Sequence, residues 1–177
     1  MSEVVIDTNV LMVANEEFPP EQADEACVRT CLDRLVAIQS GNSGERVVLD
    51  TDDRLIGEYG DTLKSSHQPS TGHAFLYWLY QVGWNPSHCD RIAITCRDED
   101  SQCFDEFPEH DGLADFDVSD RKFVAVTNAH PAKPPILQAV DTKWITWEQA
   151  LSECGLRLEW LCPETANRLY QEHLCNT

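Results

Sequence analysis

Positive charge is scarce in this chain. Thirteen Lys and Arg stand against 31 Asp and Glu in 177 residues, a formal net charge of −18. That balance excludes a protein that holds nucleic acid or an anionic membrane by broad charge attraction. Long apolar runs are missing as well. None reaches the ~18 residues that a membrane-spanning helix needs. The opening MSEVVIDTNV has neither a basic stretch nor a long apolar stretch after it. No export signal is therefore expected, and a cytoplasmic setting without membrane attachment is. There is no CxxC pair, no internal repeat and no low-complexity segment. No Ser–His–Asp set or Cys–His pair has a recognisable context, so no covalent nucleophile is indicated.

What is present is the composition of a folded domain. Hydrophobic residues make up 42% and charged residues 25%, the mix of ordinary globular proteins. An acidic disordered tail would carry far fewer Val, Leu, Ile and Trp. The length suits a single domain over residues 1–177. The eight cysteines are Cys27, Cys31, Cys89, Cys96, Cys103, Cys154, Cys162 and Cys175. Their even number invites a disulfide reading, but the expected reducing compartment favours scattered free thiols. Beside His88, Cys89, Cys96, Cys103 and His110 follow at steps of seven, unlike the paired ligands of a structural zinc site. Cys27 and Cys31 lie four apart, on one face of an expected helix.

The negative charge is unevenly spread. Residues 98–120 hold ten acids and no Lys or Arg. Most of this run, an insert at about 97–116, reads as a solvated acidic loop. The following segment, 121–147, holds Arg121, Lys122, Lys133 and Lys143 against Asp141 alone. These four cations are the candidates for phosphate contacts. Trp144 and Trp147 have the chemistry to stack on bases, but packing in the core or at an edge is the first expectation.

Periodicity gives strands at 3–7, 46–50, 91–95, 136–140 and 156–161. Helices are expected at 9–17, 21–39, 53–64, 70–82, 118–129 and 147–154. The last of these would start from a Thr146–Gln149 capping box. Pro163 opens a C-terminal helix over about 162–177. Asp117 or Ser119 is the expected cap of the 118–129 helix. Short apolar strands alternating with helices imply an α/β fold with a mainly parallel sheet. Ligands in such sheets bind outside the carboxyl ends of the strands. Asp7, Asp50 and Asp141 all stand at such ends. Convergent carboxylates suit hard divalent cations such as Mg²⁺ and Mn²⁺, and Asp7, Glu58, Asp117, Asp120 and Asp141 are the candidates.

Four segments carry a resemblance. They are Val4-Val5-Ile6-Asp7-Thr8-Asn9-Val10-Leu11, then Leu55-Ile56-Gly57-Glu58-Tyr59. Further on come Val118-Ser119-Asp120-Arg121-Lys122-Phe123-Val124-Ala125-Val126 and Ile136-Leu137-Gln138-Ala139-Val140-Asp141-Thr142-Lys143-Trp144. In this order they resemble the PIN-domain nucleases, from residue 4 to about 161. The resemblance implies a three-layer α/β/α fold with a five-stranded parallel sheet. It implies a metal-dependent endonuclease, most often an endoribonuclease, using Mg²⁺ or Mn²⁺. Asp7, Glu58, Asp120 and Asp141 match the family's acidic tetrad, and Thr8 and Asn9 match its supporting polar positions. Asp117 is an additional acid, which leaves open whether it or Asp120 is the third ligand. The resemblance further implies an RNA substrate, with DNA left open. A small antitoxin-type protein partner and a homodimer are the assemblies it suggests. The 97–116 insert departs from the family pattern. Two alternatives stand beside this reading. One is an inactive PIN-like interaction protein that binds a basic partner through its acidic face. The other is a phosphatase of the haloacid dehalogenase type, for which Asn9 stands where an acid is wanted.

Overall fold

A computed structural model of the chain describes residues 2–63, 70–100 and 102–175. Lys64 and residues 176–177, the last positions of two expected helices, lie outside the described residues. The central sheet has five strands: β1 (Ser2–Ile6), β2 (Glu45–Asp50), β3 (Cys89–Ile92), β6 (Ile136–Gln138) and β7 (Leu158–Trp160). Their spatial order is β3-β2-β1-β6-β7, and every pairing is parallel. The sheet is flanked by helices, in the three-layer α/β/α arrangement expected. β1 lies at its centre because Val4, Val5 and Ile6 form an unbroken apolar run, buried on both faces as parallel strands require. Val47, Val48, Leu49, Ile136 and Leu137 extend that core to either side.

The helices are α1 (Thr8–Ala14), α2 (Glu25–Gln39), α3 (Arg54–Leu63), α4 (Thr71–Val82), α5 (Arg121–Ala129), α6 (Lys143–Glu153) and α7 (Pro163–Cys175). α2 starts where the Asp24 side chain accepts the Cys27 N–H at 2.8 Å. It ends before Gly41, whose φ of +76° is the left-handed conformation that reverses the chain. α1 and α4 meet closely at Gly72, where an added Cβ would lie 2.5 Å from Asn15 Oδ1. The Gly72 N–H donates to that same oxygen at 2.7 Å.

Four expectations need correction. The acidic insert is not simply a solvated loop. It contains an antiparallel hairpin, β4 (Cys96–Asp98) and β5 (Cys103–Phe104), and it buries Phe104, Leu113 and Phe116. Phe116 packs against Trp144 and Trp147 at centroid distances of 5.1 and 4.5 Å, so those tryptophans are packing residues. α6 begins at Lys143, four residues earlier than expected, because buried Trp144 anchors its first turn. Thr146 therefore lies inside the helix and caps nothing. β3 runs from Cys89 rather than Arg91, set by its register of Val47 on Cys89 and Asp50 on Ile92.

The fourth correction concerns the thiols. Cys27 and Cys162 form a disulfide with a Cα–Cα distance of 5.4 Å. The other six cysteines are free. Spacing along the chain could not reveal the pair, since the two residues are 135 apart in sequence. Among the described residues, no helix is long and apolar enough to cross a membrane.

Candidate functional site

β1 connects outward to β2 on one side, and its other neighbour is β6. The strand order reverses there, and a crevice opens beyond the carboxyl ends of these two strands. A cavity of about 740 Å³ lies at that place. Asp7, Glu58, Asp120 and Asp141 all border it, together with Thr8, Asn9 and Lys143. Acids 21 to 134 positions apart in the chain are thus brought to one opening.

Each side chain is placed by a specific bond. Asp7 follows β1 and caps α1, its Oδ1 accepting the Asn9 N–H at 2.8 Å. Asn9 Oδ1 in turn accepts the Val140 N–H at 2.8 Å. That bond fastens the turn after β6 to the start of α1 and sets Asp141 near Asp7. Thr8 Oγ1 donates to Glu58 Oε1 at 2.8 Å, and the neighbouring Tyr59 hydroxyl donates to the Ile6 carbonyl at 2.5 Å. Both bonds hold α3 over the end of β1. Asp120 stands in the 3-10 turn Val118–Asp120 that leads into α5, and it is buried.

Two lysines run into this group. The Lys143 ammonium lies 2.7 Å from Asp117 Oδ2, 2.8 Å from Asp120 Oδ2 and 3.5 Å from Asp141 Oδ2. The Lys122 ammonium pairs with Glu58 Oε2 and donates to the Ser119 carbonyl. Four carboxylates, Glu58, Asp117, Asp120 and Asp141, thus pair with two ammonium groups, and Asp7 lies beside them. Burial, then the charges of Asp120 and Asp141, push the Asp7 carboxyl well above the ordinary range. Burial raises Asp120 to about 6 against the opposing pull of Lys143. Asp141 is raised by burial in the same way. Asp117 goes the other way. Its partial burial is outweighed by hydrogen bonds from Lys143 and Ser119, which hold it at about 2.

The two neighbouring acids therefore have different places. Asp120 borders the cavity, whereas Asp117 does not. Asp117 caps the 3-10 turn through the Ser119 N–H at 3.0 Å and braces Lys143. Asp50, the third strand-end acid, is also outside the cavity. Its carboxylate accepts the N–H groups of Asp52, Arg54 and Leu55 and caps α3.

The four expected phosphate contacts are not brought together. Lys122 is buried in its pair with Glu58. Lys143 is turned inward onto three acids. Arg121 lies over the Phe107 ring at 5.4 Å. Lys133 precedes β6, at the opposite edge of the sheet, and donates to the Cys154 carbonyl at 3.1 Å. Acids at strand ends attract cations, and in this fold the nearest cations are the chain's own.

The wall of the cavity includes residues that no local signal marked. Glu21 and Gln22 come from the segment before α2, and Leu169, Glu172 and His173 from α7. His173 Nδ1 lies 3.3 Å from Thr142 Oγ1, which joins α7 to the turn after β6. The donors around the cavity are hard oxygens, which suit Mg²⁺ or Mn²⁺ rather than a thiophilic ion. Among the described residues, no three of the acids bring one oxygen each within 4.8 Å of one another. The chain thus presents a parallel α/β fold with a carboxylate cavity at its switch point. Comparison with protein-family models, with curated proteins and with solved structures returned no match.

Proposed function

We propose that the protein is a PIN-like, metal-dependent endonuclease, with RNA as the favoured substrate. The observation that carries this reading is the meeting of Asp7, Glu58, Asp120 and Asp141, from four separate elements, at one cavity beyond β1 and β6. Burial first, and the charges of neighbouring acids after it, raise the Asp7, Asp120 and Asp141 carboxyls, so the cavity holds carboxyls whose charge is poorly solvated. A divalent cation is the partner such a set favours. Asp7, Glu58, Asp120 and Asp141 would hold it. When bound, it supplies an activated water and stabilises charge on the leaving oxygen of a phosphodiester.

The chain's own residues have distinct parts in this scheme. Asp7 directs Oδ1 into the α1 cap, which fixes the orientation of its other oxygen. Thr8 fixes Glu58 by taking one of its oxygens. Asn9 keeps the Asp141 turn at the cavity. Lys143 holds Asp120 and Asp141 in place and gives way as positive charge enters. The haloacid dehalogenase alternative fares poorly, because Asn9 is committed to the Val140 N–H and offers no proton. The inactive-protein alternative draws on one observation, that two lysines already serve as counter-ions.

The test is cleavage of single-stranded RNA with Mn²⁺ by the wild type and by Asp7→Asn. Asparagine keeps the cap acceptor, so the variant is expected to fold normally and to lose cleavage by about 100-fold or more. Full activity in Asp7→Asn would overturn the reading. No cleavage by the wild type, with no Mn²⁺-dependent rise in melting temperature, would favour the inactive protein.

A further inference from the structure

Cys27, Cys31 and Cys162 form a buried sulfur cluster, and none of them borders the acidic cavity. Cys27 is in the first turn of α2, and Cys31 is one turn on along the same face. Cys162 immediately precedes α7, where its carbonyl accepts the Ala166 N–H at 2.9 Å. One sulfur atom from each of the three residues lies within 4.8 Å of the others. Among the described residues this is the one set of three or more Cys, His, Asp or Glu with that spacing. We propose that, once the Cys27–Cys162 bridge is reduced, these three cysteines form a binding site for a thiophilic d¹⁰ cation of the Zn²⁺ type.

Three observations carry it. Cys31 Sγ lies 3.9 Å from Cys162 Sγ. Two thiolates that share one ion at the ~2.3 Å zinc–sulfur distance sit about 3.8–4.0 Å apart. Cys31 is thus already at ligand spacing, and opening the bridge lets Cys27 and Cys162 move to the same spacing. Secondly, Cys27 and Cys162 stand at the amino ends of α2 and α7, and the positive end of a helix favours thiolate over thiol. Burial instead pushes the Cys31 thiol up to about 12, so this ligand gives up its proton to the metal rather than beforehand. Thirdly, a cavity of about 260 Å³ bordered by Asp24, Cys27, Thr30, Cys162 and Glu164 gives a path from solvent. Water from that side completes a fourth coordination position, which three protein ligands leave open.

The chemistry balances with a dithiol reductant. The reductant gives two electrons and two protons to the Cys27–Cys162 bond and becomes its own cyclic disulfide. The protein then holds three thiols. One divalent cation displaces three protons and is held by three thiolates. Disulfide and metal are alternative links between α2 and α7. α7 borders the acidic cavity through Leu169, Glu172 and His173, and the segment leading into α2 borders it through Glu21 and Gln22, so either link fastens one rim of it.

The experiment uses the full chain reduced with a non-thiol phosphine and titrated with Cd²⁺, a spectroscopic stand-in for Zn²⁺. The expected result is an ultraviolet thiolate-to-metal charge-transfer band that saturates at one equivalent. Zn²⁺ should compete for the same site. Cys31→Ala should weaken binding by more than the ~10–100-fold that loss of an outer-shell contact costs. Cys175→Ser, outside the cluster, should leave it unchanged. Asp7→Asn should also leave the band unchanged, which separates this site from the acidic one. Absence of a band at one equivalent overturns the proposal, as does equal affinity in Cys31→Ala. If reduction unfolds the chain, recovery of circular dichroism with Cd²⁺ in the wild type but not in Cys31→Ala supports it, and any other pattern overturns it.

Discussion

Asp117 and Asp120 are three residues apart, yet their environments push them in opposite directions. Asp120 is held at about 6 and Asp117 at about 2. A carboxyl whose folded value lies above its unfolded value of about 3.9 binds protons more tightly when folded. Its contribution to stability is full below the unfolded value and is lost as pH rises through the folded value. The metal-free protein should therefore melt at a higher temperature at pH 5 than at pH 7, through Asp120 and, in the same direction, Asp7 and Asp141. Asp117 stays charged throughout that window and does not contribute to the change. A melting series with and without Mn²⁺ checks this, since bound cation should remove most of the pH dependence. Lys143 gives a second test at this scale. Lys143→Met leaves Asp120 and Asp141 without their counter-ion. It should destabilise the metal-free protein by about 1–2 kcal/mol, the partial exposure of the lysine keeping the loss moderate. The variant should also gain more melting temperature from Mn²⁺ than the wild type does.

At the scale of elements, caps and strand ends look alike in sequence and differ in the fold. Asp7 and Asp50 each end a strand and cap the next helix, but only Asp7 borders the cavity. Asp50→Ala should cost about 1–2 kcal/mol through the lost cap. It should leave the Mn²⁺-induced rise in melting temperature unaltered, whereas Asp7→Ala should reduce both. The strands were legible because unbroken apolar runs such as Val4-Val5-Ile6 have few other stable placements. The start of α6 was not, because a buried Trp144 overrode the local Thr146 signal. The hairpin in the acidic insert was hidden in the same way. Its order depends on Phe104 and Phe116 reaching the core, which the surrounding charge obscured.

For the whole molecule, the net charge of −18 is concentrated in residues 98–120, and Lys122 and Lys143 are turned onto acids rather than outward as a basic face. Added salt should therefore raise the melting temperature by screening self-repulsion. RNA binding should depend steeply on Mn²⁺ and only weakly on monovalent salt, because few phosphates would meet a lysine or arginine directly. A steep monovalent salt dependence would point to a basic contact face beyond Lys122 and Lys143.

The sequence by itself determined the class of fold and the acids worth watching. Apolar periodicity records which faces must be buried, and strand-end acids mark where a parallel sheet places its ligands. Only the tertiary structure decided which acids share a cavity. It decided too that Lys122 and Lys143 turn inward to neutralise them, and that Cys162 meets Cys27 and Cys31. These are contacts between residues tens to more than a hundred positions apart. They are fixed by how helices pack on the sheet, and no local spacing encodes them.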